Sequence, residues 1–300
     1  MKVLVTGSTG LVGRGFQRLA KSKPEHEYYF ASSKDANLCD PEACNQLYNN
    51  IRPDIVIHLA ARVGGLFYNI ENNRDIYLDN MKMNMNVMES SLKYNVKRTI
   101  VCLSTCIFPD CTGEMTLDDL HKGPPHGSNF GYAYAKRNLE IMCRLFNQGL
   151  ENKRFFYVVP CNIYGPEDHF NDLARSHVIP ALVTRFQTAQ DNYETSINLP
   201  GTGTARRQFV YVDDVVRVIM RLMEQSTLSE TGHVIAPPLE YSIADTAKII
   251  ARQVGFTGKI LFDRDASKDG QYRKYIVSTV PHMHWMSLED GIQETLRKRI

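Results

Sequence analysis

Three glycines near the N-terminus constrain the fold more than any other feature of this sequence. An apolar run at 2–6 leads into a turn with the spacing G-x-x-G-x-x-G. Glycines in such a turn let the backbone bend tightly, approach a pyrophosphate and pack a helix closely on the strand. Because the turn lies between a strand and an amphipathic helix, it predicts a dinucleotide site rather than a plain structural turn. The predicted contacts are Gly7, Ser8, Thr9, Gly10, Leu11, Val12 and Gly13.

Strand and helix patterns alternate through the first half of the chain. Amphipathic stretches at 76–94 and 130–148 predict long helices between the strands. The alternation predicts an α/β fold with a Rossmann-type, doubly wound parallel sheet. The short apolar runs that predict its strands lie at 2–6, 28–31, 54–58, 99–103 and 155–160.

The second half does not alternate in this way, and it predicts a smaller α/β C-terminal substrate lobe. We expect a nucleotide-binding domain over 1–166 and a substrate lobe mainly over 167–300, with the chain crossing back near 208–225. The cleft between them is the expected substrate site. The predicted helices of this half lie at 176–187, 212–223, 243–254 and 288–297, and its strands at 195–199, 208–211 and 259–262.

Composition narrows the class of protein. A net charge of +2 without a basic run gives no indication of nucleic-acid binding, and no apolar run is long enough to cross a membrane. The seven cysteines form no C-x-x-C pair, so we expect reduced thiols, no metal site and a cytoplasmic protein. We also expect no signal peptide, because a strand follows Met1 directly.

The residues after the second strand bear on the choice of cofactor. An NAD enzyme usually places an acidic residue here, against the ribose 2′-hydroxyl. This chain has Ser32, Ser33 and Lys34, whose hydroxyls and cation favour the 2′-phosphate of NADP, although Asp35 keeps the alternative open. Asp40, at the end of the run that begins at Asn37, is expected on the adenine side.

Small residues follow the third strand. Leu59, Ala60 and Ala61 would let a cofactor pass over the end of that strand, with Val63 and Gly64 beyond them. The long helix that follows contains Asn80, a poor helix former unless its amide has a partner. A buried, hydrogen-bonded Asn80 and a solvated helix face both remain open, and the solvated face is the default.

The fourth strand and the next helix bring together residues suited to proton transfer. Tyr132 and Lys136 are four residues apart, so they share one helix face. The ammonium would favour the phenolate and lower the pKa of Tyr132 toward neutrality. Ser104 would hold the substrate oxygen. On an extended strand end, Cys106 would point to the same side as Ser104.

With these residues the chain resembles the extended short-chain dehydrogenases/reductases, and more closely the GDP-L-fucose synthase family. The resemblance covers nearly the whole chain. The matching runs are Val63-Gly64-Gly65, Ser104-Thr105-Cys106-Ile107-Phe108-Pro109, Asn162-Ile163-Tyr164-Gly165-Pro166 and Ser176-His177-Val178-Ile179-Pro180.

The resemblance implies NADP(H)-dependent 3,5-epimerisation and 4-reduction of GDP-4-keto-6-deoxy-D-mannose, and a homodimer formed through the long helices. In the family, Ser104, Tyr132 and Lys136 would serve reduction, and Cys106 and His177 would serve epimerisation as base and acid. A helix N-terminus disfavours an imidazolium, so we expect substrate phosphates or a nearby carboxylate to keep His177 protonable. Pro200 stands where the family often has Trp. Further cofactor contacts implied are Asn80, Lys136, Pro160, Asn162, Ile163 and His177, and substrate contacts are Val63, Gly64, Ser104, Cys106, Asn162, Arg185, Pro200, Arg207, Asp269 and Lys274.

Two alternatives remain. A nucleotide-sugar 4,6-dehydratase would have carboxylates where this chain has Thr105 and Cys106, and a 4-epimerase needs no Cys/His pair. A non-catalytic NADP-binding regulator or scaffold is possible on the same fold, but such proteins tend to lose the Tyr or the Lys, and both are present here.

Overall fold

The computed structural model describes residues 1–173, 176–226 and 228–299, without the side chains of Leu66 and Phe67. Its helices are α1 (Leu11–Ala20), α2 (Pro41–Ile51), α3 (Leu66–Glu71), α4 (Asn73–Lys93), α5 (Phe130–Phe146), α6 (Val178–Asp191), α7 (Val212–Glu224), α8 (Ile243–Val254) and α9 (Leu288–Lys298). Its strands are β1 (Lys2–Thr6), β2 (Glu27–Ala31), β3 (Ile55–His58), β4 (Arg98–Cys102), β5 (Glu114–Met115), β6 (Phe155–Pro160), β7 (Asn162–Tyr164), β8 (Ser196–Leu199), β9 (Arg206–Tyr211), β10 (Gly232–Ile235), β11 (Glu240–Ser242), β12 (Lys259–Phe262) and β13 (Arg273–Ile276).

The main sheet has six parallel strands in the order β10-β6-β4-β3-β1-β2. Its two faces are covered by helices, as the alternation of side chains along β1 illustrates. Val3 and Val5 lie in the core that contains Phe16 of α1, whereas Leu4 lies in a second core with Tyr48 of α2 and Val87 of α4. Successive side chains of a strand point to opposite faces, so a parallel strand covered on both sides is apolar throughout. The predicted Rossmann-type sheet is confirmed.

The second lobe is built around a smaller sheet in the order β11-β9-β13-β5, with β7 also pairing with β9. β8 and β12 form a separate parallel pair. β5 comes from the stretch 111–129 between β4 and α5, and it pairs with β13. This stretch therefore connects the two sheets and holds the second lobe over the end of the first.

The chain returns to the first unit after the second lobe begins. α7 packs on α1, where Arg18 pairs with Glu167 and Asp213. β10, which the sequence pattern did not predict, pairs with β6 at the edge of the main sheet. The division at residue 166 stays a prediction, but the main sheet is completed only at residue 235.

Within the described ranges, no helix combines the length and the apolar content needed to cross a membrane.

Candidate active site and nucleotide cradle

The candidate site lies at the carboxyl edge of the main sheet. All its strands are parallel, so the turns after β1, β2, β3, β4 and β6 meet at this edge. These turns carry the cofactor and catalytic residues predicted for the first half of the chain. Ligands in open α/β sheets bind in the crevice outside such strand ends.

The glycine turn after β1 forms a tight cradle. Gly7 has φ +70°, and a Cβ there would lie 2.5 Å from the backbone nitrogen of Ala60. A Cβ on Gly13 would lie 2.4 Å from the Gly7 carbonyl oxygen. The turn, the loop after β3 and the first turn of α1 are therefore packed backbone to backbone. Ser8, Thr9, Gly10, Leu11 and Val12 line the same turn, which has the form that a pyrophosphate requires.

The turn after β2 contains Lys34 and Asp35, whose opposite charges bear on whether the cofactor carries a 2′-phosphate. The backbone N–H and the hydroxyl of Ser32 both donate to Asp35 Oδ2, each at 2.7 Å. These bonds lower the pKa of Asp35 and keep it ionised. Ser33 and Lys34 are exposed beside it. Asp40 caps α2, accepting from the Glu42 N–H at 2.9 Å.

A buried chain of hydrogen bonds joins the strand ends to the helices behind them. Asn84 Oδ1 can only accept, so His58 donates to it from Nε2 at 3.2 Å and accepts from the Thr6 hydroxyl at Nδ1 at 2.8 Å. Asn84 Nδ2 in turn donates to the Ala135 carbonyl at 3.1 Å. Burial and the nearby Lys136 lower the pKa of His58 to about 3, so the ring is neutral. His58 could not be identified from the sequence, because a buried polar residue in an apolar strand gives no periodic signal.

Asn80 is fully buried. Of the two possibilities left open by the sequence, the buried and hydrogen-bonded one is confirmed, and the solvated default is wrong. The Asn80 amide donates to the carbonyls of Arg62 at 2.8 Å and Ile76 at 2.7 Å, and its Oδ1 accepts from the Arg62 N–H at 3.0 Å. Asn80 thus holds the loop after β3, which includes Leu59, Ala60, Ala61, Val63 and Gly64.

Ser104 and Cys106 are brought together by a turn rather than by an extended strand. β4 ends at Cys102, and residues Thr105–Ile107 form a single 3-10 turn capped by Ser104. The Cys106 N–H faces Ser104 Oγ at 3.4 Å. The expected juxtaposition is present, but its expected cause, the pleat of a strand, is wrong.

Lys136 is 2% exposed and donates from Nζ to the Cys102 carbonyl at 2.7 Å. Its ammonium lies 5.9 Å from the ring centre of Tyr132, one turn back on α5. Burial raises the pKa of Tyr132 well above 10, and the thiols of Cys106 and Cys102 add to this effect. The expectation that Lys136 would lower the pKa of Tyr132 toward neutrality is therefore wrong, and the phenol stays protonated at neutral pH.

Cys106 is buried, and two cationic side chains act on the pKa of its thiol. Burial raises the pKa of its thiol, while Lys274, the Ser104 hydroxyl and Lys136 act in the opposite direction. Burial likewise lowers the pKa of Lys274 to about 8, and Cys106 opposes that change. Lys274 was predicted as a substrate contact, and its position also couples it to the cysteine.

The sequence predicts Ser176 as the N-terminal cap residue of α6 and His177 in its first turn, but the cap residue is His177, one position later. Ser176, the predicted cap, instead donates its hydroxyl to the carbonyls of His169 and Asp172. Nδ1 of His177 is 3.8 Å from Asp168 Oδ1. Half of the His177 side chain is exposed. Partial desolvation would lower the pKa of His177, but Asp168 outweighs this effect and the pKa is raised. The expected nearby carboxylate is thus present, although the sequence analysis did not identify Asp168.

A basic strip lies on the second lobe. Arg207 and Lys274 are register partners on β9 and β13. Burial lowers the pKa of Arg207 to about 10, and Asp269 opposes it. Asp269 accepts from the N–H and hydroxyl of Thr202 at 2.8 and 2.5 Å, which fixes the turn after β8. Pro200 is exposed in that turn, and Arg185 is half-buried on α6.

Three further predicted contacts lie where β6 gives way to β7. Pro160 ends β6, while Asn162 and Ile163 belong to β7. Asn162 donates from Nδ2 to the Gln208 carbonyl at 2.8 Å. This pairing with β9 joins the main sheet edge to the substrate lobe.

In the described part of the chain, Glu25, His26 and Glu224 approach one another closely enough to suggest a metal site. Lys23 donates to Glu224 at 2.9 Å, so a cation already neutralises that carboxylate. We therefore assign this group to ion pairing at the C-terminal ends of α1 and α7.

Comparisons with known proteins agree with this geometry. The model of the NAD dependent epimerase/dehydratase family matches residues 3–236. A GDP-L-fucose synthase of Dictyostelium discoideum is 38% identical, over 98% of this chain and 93% of its own. A probable GDP-L-fucose synthase of Drosophila melanogaster is 36% identical, over 99% and 96%. A solved structure of a GDP-L-fucose synthetase from Naegleria fowleri bound to NADP has a TM-score of 0.86 at 36% identity, over 99% of this chain and 92% of that one.

Proposed function

Because this chain belongs to the NAD dependent epimerase/dehydratase family, among the GDP-L-fucose synthases, we propose that it makes GDP-L-fucose. The substrate is GDP-4-keto-6-deoxy-D-mannose, which is epimerised at C3 and C5 and reduced at C4. The observation that carries the proposal is the turn on which Cys106 follows Ser104, beside Tyr132 and Lys136. A reductase alone has no need of a thiol at that place.

The cofactor is NADP(H), which supplies the hydride for C4 when bound. The Gly7 turn and the first turn of α1 would hold its pyrophosphate, and Lys34 with Ser33 its 2′-phosphate. Asp40 would lie on the adenine side. The loop held by Asn80, together with Lys136, Pro160, Asn162, Ile163 and His177, would border the nicotinamide half.

Reduction uses Tyr132 as the proton donor. Its raised pKa keeps the phenol protonated, so a proton is available for the C4 oxygen as charge develops there. The Ser104 hydroxyl holds this oxygen. Lys136, anchored on the Cys102 carbonyl, places a positive charge near Tyr132.

Epimerisation uses Cys106 and His177 on opposite faces of the sugar. The C4 ketone acidifies the hydrogens at C3 and C5. The Cys106 thiolate, stabilised by Lys274 and Lys136 against the effect of burial, takes one of these protons. His177, with its raised pKa, returns a proton from the other face.

The residues assigned to substrate binding lie on the second lobe and on the turns that face it. Arg185, Arg207 and Lys274 are cationic and fit the diphosphate of a GDP-sugar. Asp269 and Pro200 border the turn that would receive the guanosine, and Val63 and Gly64 border the sugar. Asn162 lies between the sugar and the second lobe.

We also assign a cytoplasmic homodimer that binds neither nucleic acid nor membrane. The outer faces of α4 and α5 expose apolar side chains, including Met85, Leu92, Phe130 and Leu145, with a groove of about 750 Å³ between the helices. A second copy would cover these side chains. The cysteines are all unpaired, as in a reducing compartment. Mass measurement in solution tests the dimer: a monomer would contradict it.

Supplying NADPH and GDP-4-keto-6-deoxy-D-mannose and identifying the product by NMR tests the function. We expect GDP-L-fucose with stoichiometric NADPH oxidation. A product inverted at neither C3 nor C5 would indicate a simple reductase. No NADPH consumption by well-folded protein would favour the non-catalytic alternative.

A further inference from the structure

We propose that Asp168 is a positioning residue for His177: its carboxylate holds the imidazole at Nδ1 and keeps it protonated, so that Nε2–H faces the sugar as the acid. The inference rests on the proposed function and deepens it. Asp168 acts through His177 and does not itself touch the reacting carbons.

Within the described ranges, the ion-pair partner of Asp168 is His177. The Asp168 side chain is 2% exposed, and Oδ1 accepts from the His169 N–H at 2.8 Å. Oδ2 is buried and has no hydrogen-bond partner among the described residues. A buried carboxylate is costly unless it is paired, since neither water nor a neighbour then stabilises its charge. His177 Nδ1, at 3.8 Å from Oδ1, can supply the missing charge.

The position of His177 explains why it needs such a partner. As the cap residue of α6, it lies at the positive end of a helix of 14 residues, which disfavours an imidazolium. Among the ionisable groups on the elements around the cleft are Arg185 on α6, Cys106 on the turn after β4 and Lys274 on β13. Among the described residues, Asp168 raises the pKa of His177 and outweighs the partial desolvation of this half-exposed ring.

The pairing of Asp168 with His177 supplies the proton that completes the inversion. When Cys106 thiolate removes a proton from C3 or C5, the C–H bond breaks and its electrons pass to the C4 oxygen as an enolate. The enolate carbon then takes the Nε2 proton of His177 from the opposite face. His177 becomes neutral and Cys106 becomes a thiol, and exchange with water restores both. A His177 that is neutral at the outset could not complete this step.

The test compares Asp168→Asn with the matched control Glu167→Gln, which changes the adjacent carboxylate paired with Arg18. NMR titration of His177 should show its pKa lower by at least one unit in Asp168→Asn and unchanged in Glu167→Gln. Inversion at C3 and C5 should fall about tenfold or more at pH 8 and much less at pH 6, while NADPH oxidation persists. Asp168→Glu should restore most of the inversion.

An unchanged His177 pKa and an unchanged pH profile in Asp168→Asn would overturn the proposal. If that variant does not fold, the unsubstituted protein still decides, because a His177 pKa below 6.5 contradicts the pairing. Failure of the proposed function gives a different result. The unsubstituted protein would then make no GDP-L-fucose, while the titration of His177 could still show its pairing with Asp168.

Discussion

The ammonium of Lys136 donates to the main-chain carbonyl of Cys102 at 2.7 Å, in a fully enclosed position. This bond ties α5 to the end of β4, two residues before Ser104. Because α5 also carries Tyr132, this contact holds Tyr132 beside the turn that carries Ser104 and Cys106. We therefore expect substitutions at Lys136 to disturb all three side chains.

Replacing Lys136 by Met should impair both reactions. The ammonium lowers the pKa of the Cys106 thiol, so its loss should shift deuterium uptake at C3 and C5 to higher pH. Reduction should also fall, because the charge beside Tyr132 is removed. The measurement is the pH profile of each reaction, with Lys136→Arg as the charge-preserving comparison. An unshifted profile for deuterium uptake in Lys136→Met would show that the ammonium does not act on Cys106.

Replacing Tyr132 by Phe should stop reduction while NADPH binding survives. General acid catalysis of this kind contributes roughly a hundred- to ten-thousandfold to the rate. Stopped-flow measurement of NADPH oxidation tests the loss, and fluorescence titration tests binding. Tyr134→Phe is the matched control, since Tyr134 lies on another face of α5 against Phe130 and Arg137. Near-normal turnover in Tyr132→Phe would place the proton donor elsewhere.

Replacing Lys34 by Asp should reduce the preference for NADPH over NADH. The exposed ammonium is the cation of the turn after β2, where Asp35 is held ionised by Ser32. A second carboxylate there would repel the 2′-phosphate. The ratio of kcat/KM for the two cofactors is the measurement, with Lys21→Asp at the end of α1 as the control. Equal use of both cofactors by the unsubstituted protein would contradict this interpretation.

Acidification should destabilise the fold through His58. Its pKa is lowered from 6.5 to about 3 in the folded protein, so the unfolded chain binds a proton that the folded one refuses. The contribution of His58 is fully present above pH 6.5 and is lost as the pH falls toward 3, at up to about 1.4 kcal/mol per pH unit. Between pH 6.5 and 4, urea unfolding should show that His58→Gln loses less of its free energy of unfolding than the unsubstituted protein does. His284→Gln, at an exposed position, should keep the full dependence.

Local sequence signals predicted the bounds of some elements correctly. The apolar run of β6 and the helix α8, with Ser242 at its start and Gly255 in the left-handed conformation at its end, have the predicted bounds. The glycine turn was predicted for the reason that the structure shows, a close approach of backbones at Gly7 and Gly13. Such features depend on neighbouring residues alone, so a sequence can reveal them.

Features that depend on distant parts of the chain were not predictable. β10 has the same apolar character as strands of the second lobe, and only pairing with β6 assigns it to the main sheet. Asp168 lies in a polar, irregular stretch, and its role depends on a histidine nine residues later. The pKa of Tyr132 was predicted with the wrong sign, because burial depends on the packing around α5.

We propose Cys106 as the base for epimerisation, in the pocket that also reduces C4. The decisive measurement is the product that Cys106→Ser forms from GDP-4-keto-6-deoxy-D-mannose and NADPH in heavy water. We predict no deuterium at C3 or C5 and continued NADPH oxidation, which gives an unepimerised 6-deoxy sugar such as GDP-rhamnose. In His177→Asn, by comparison, some exchange should persist without full inversion. A Cys106→Ser protein that makes deuterated GDP-L-fucose at an undiminished rate would contradict the account.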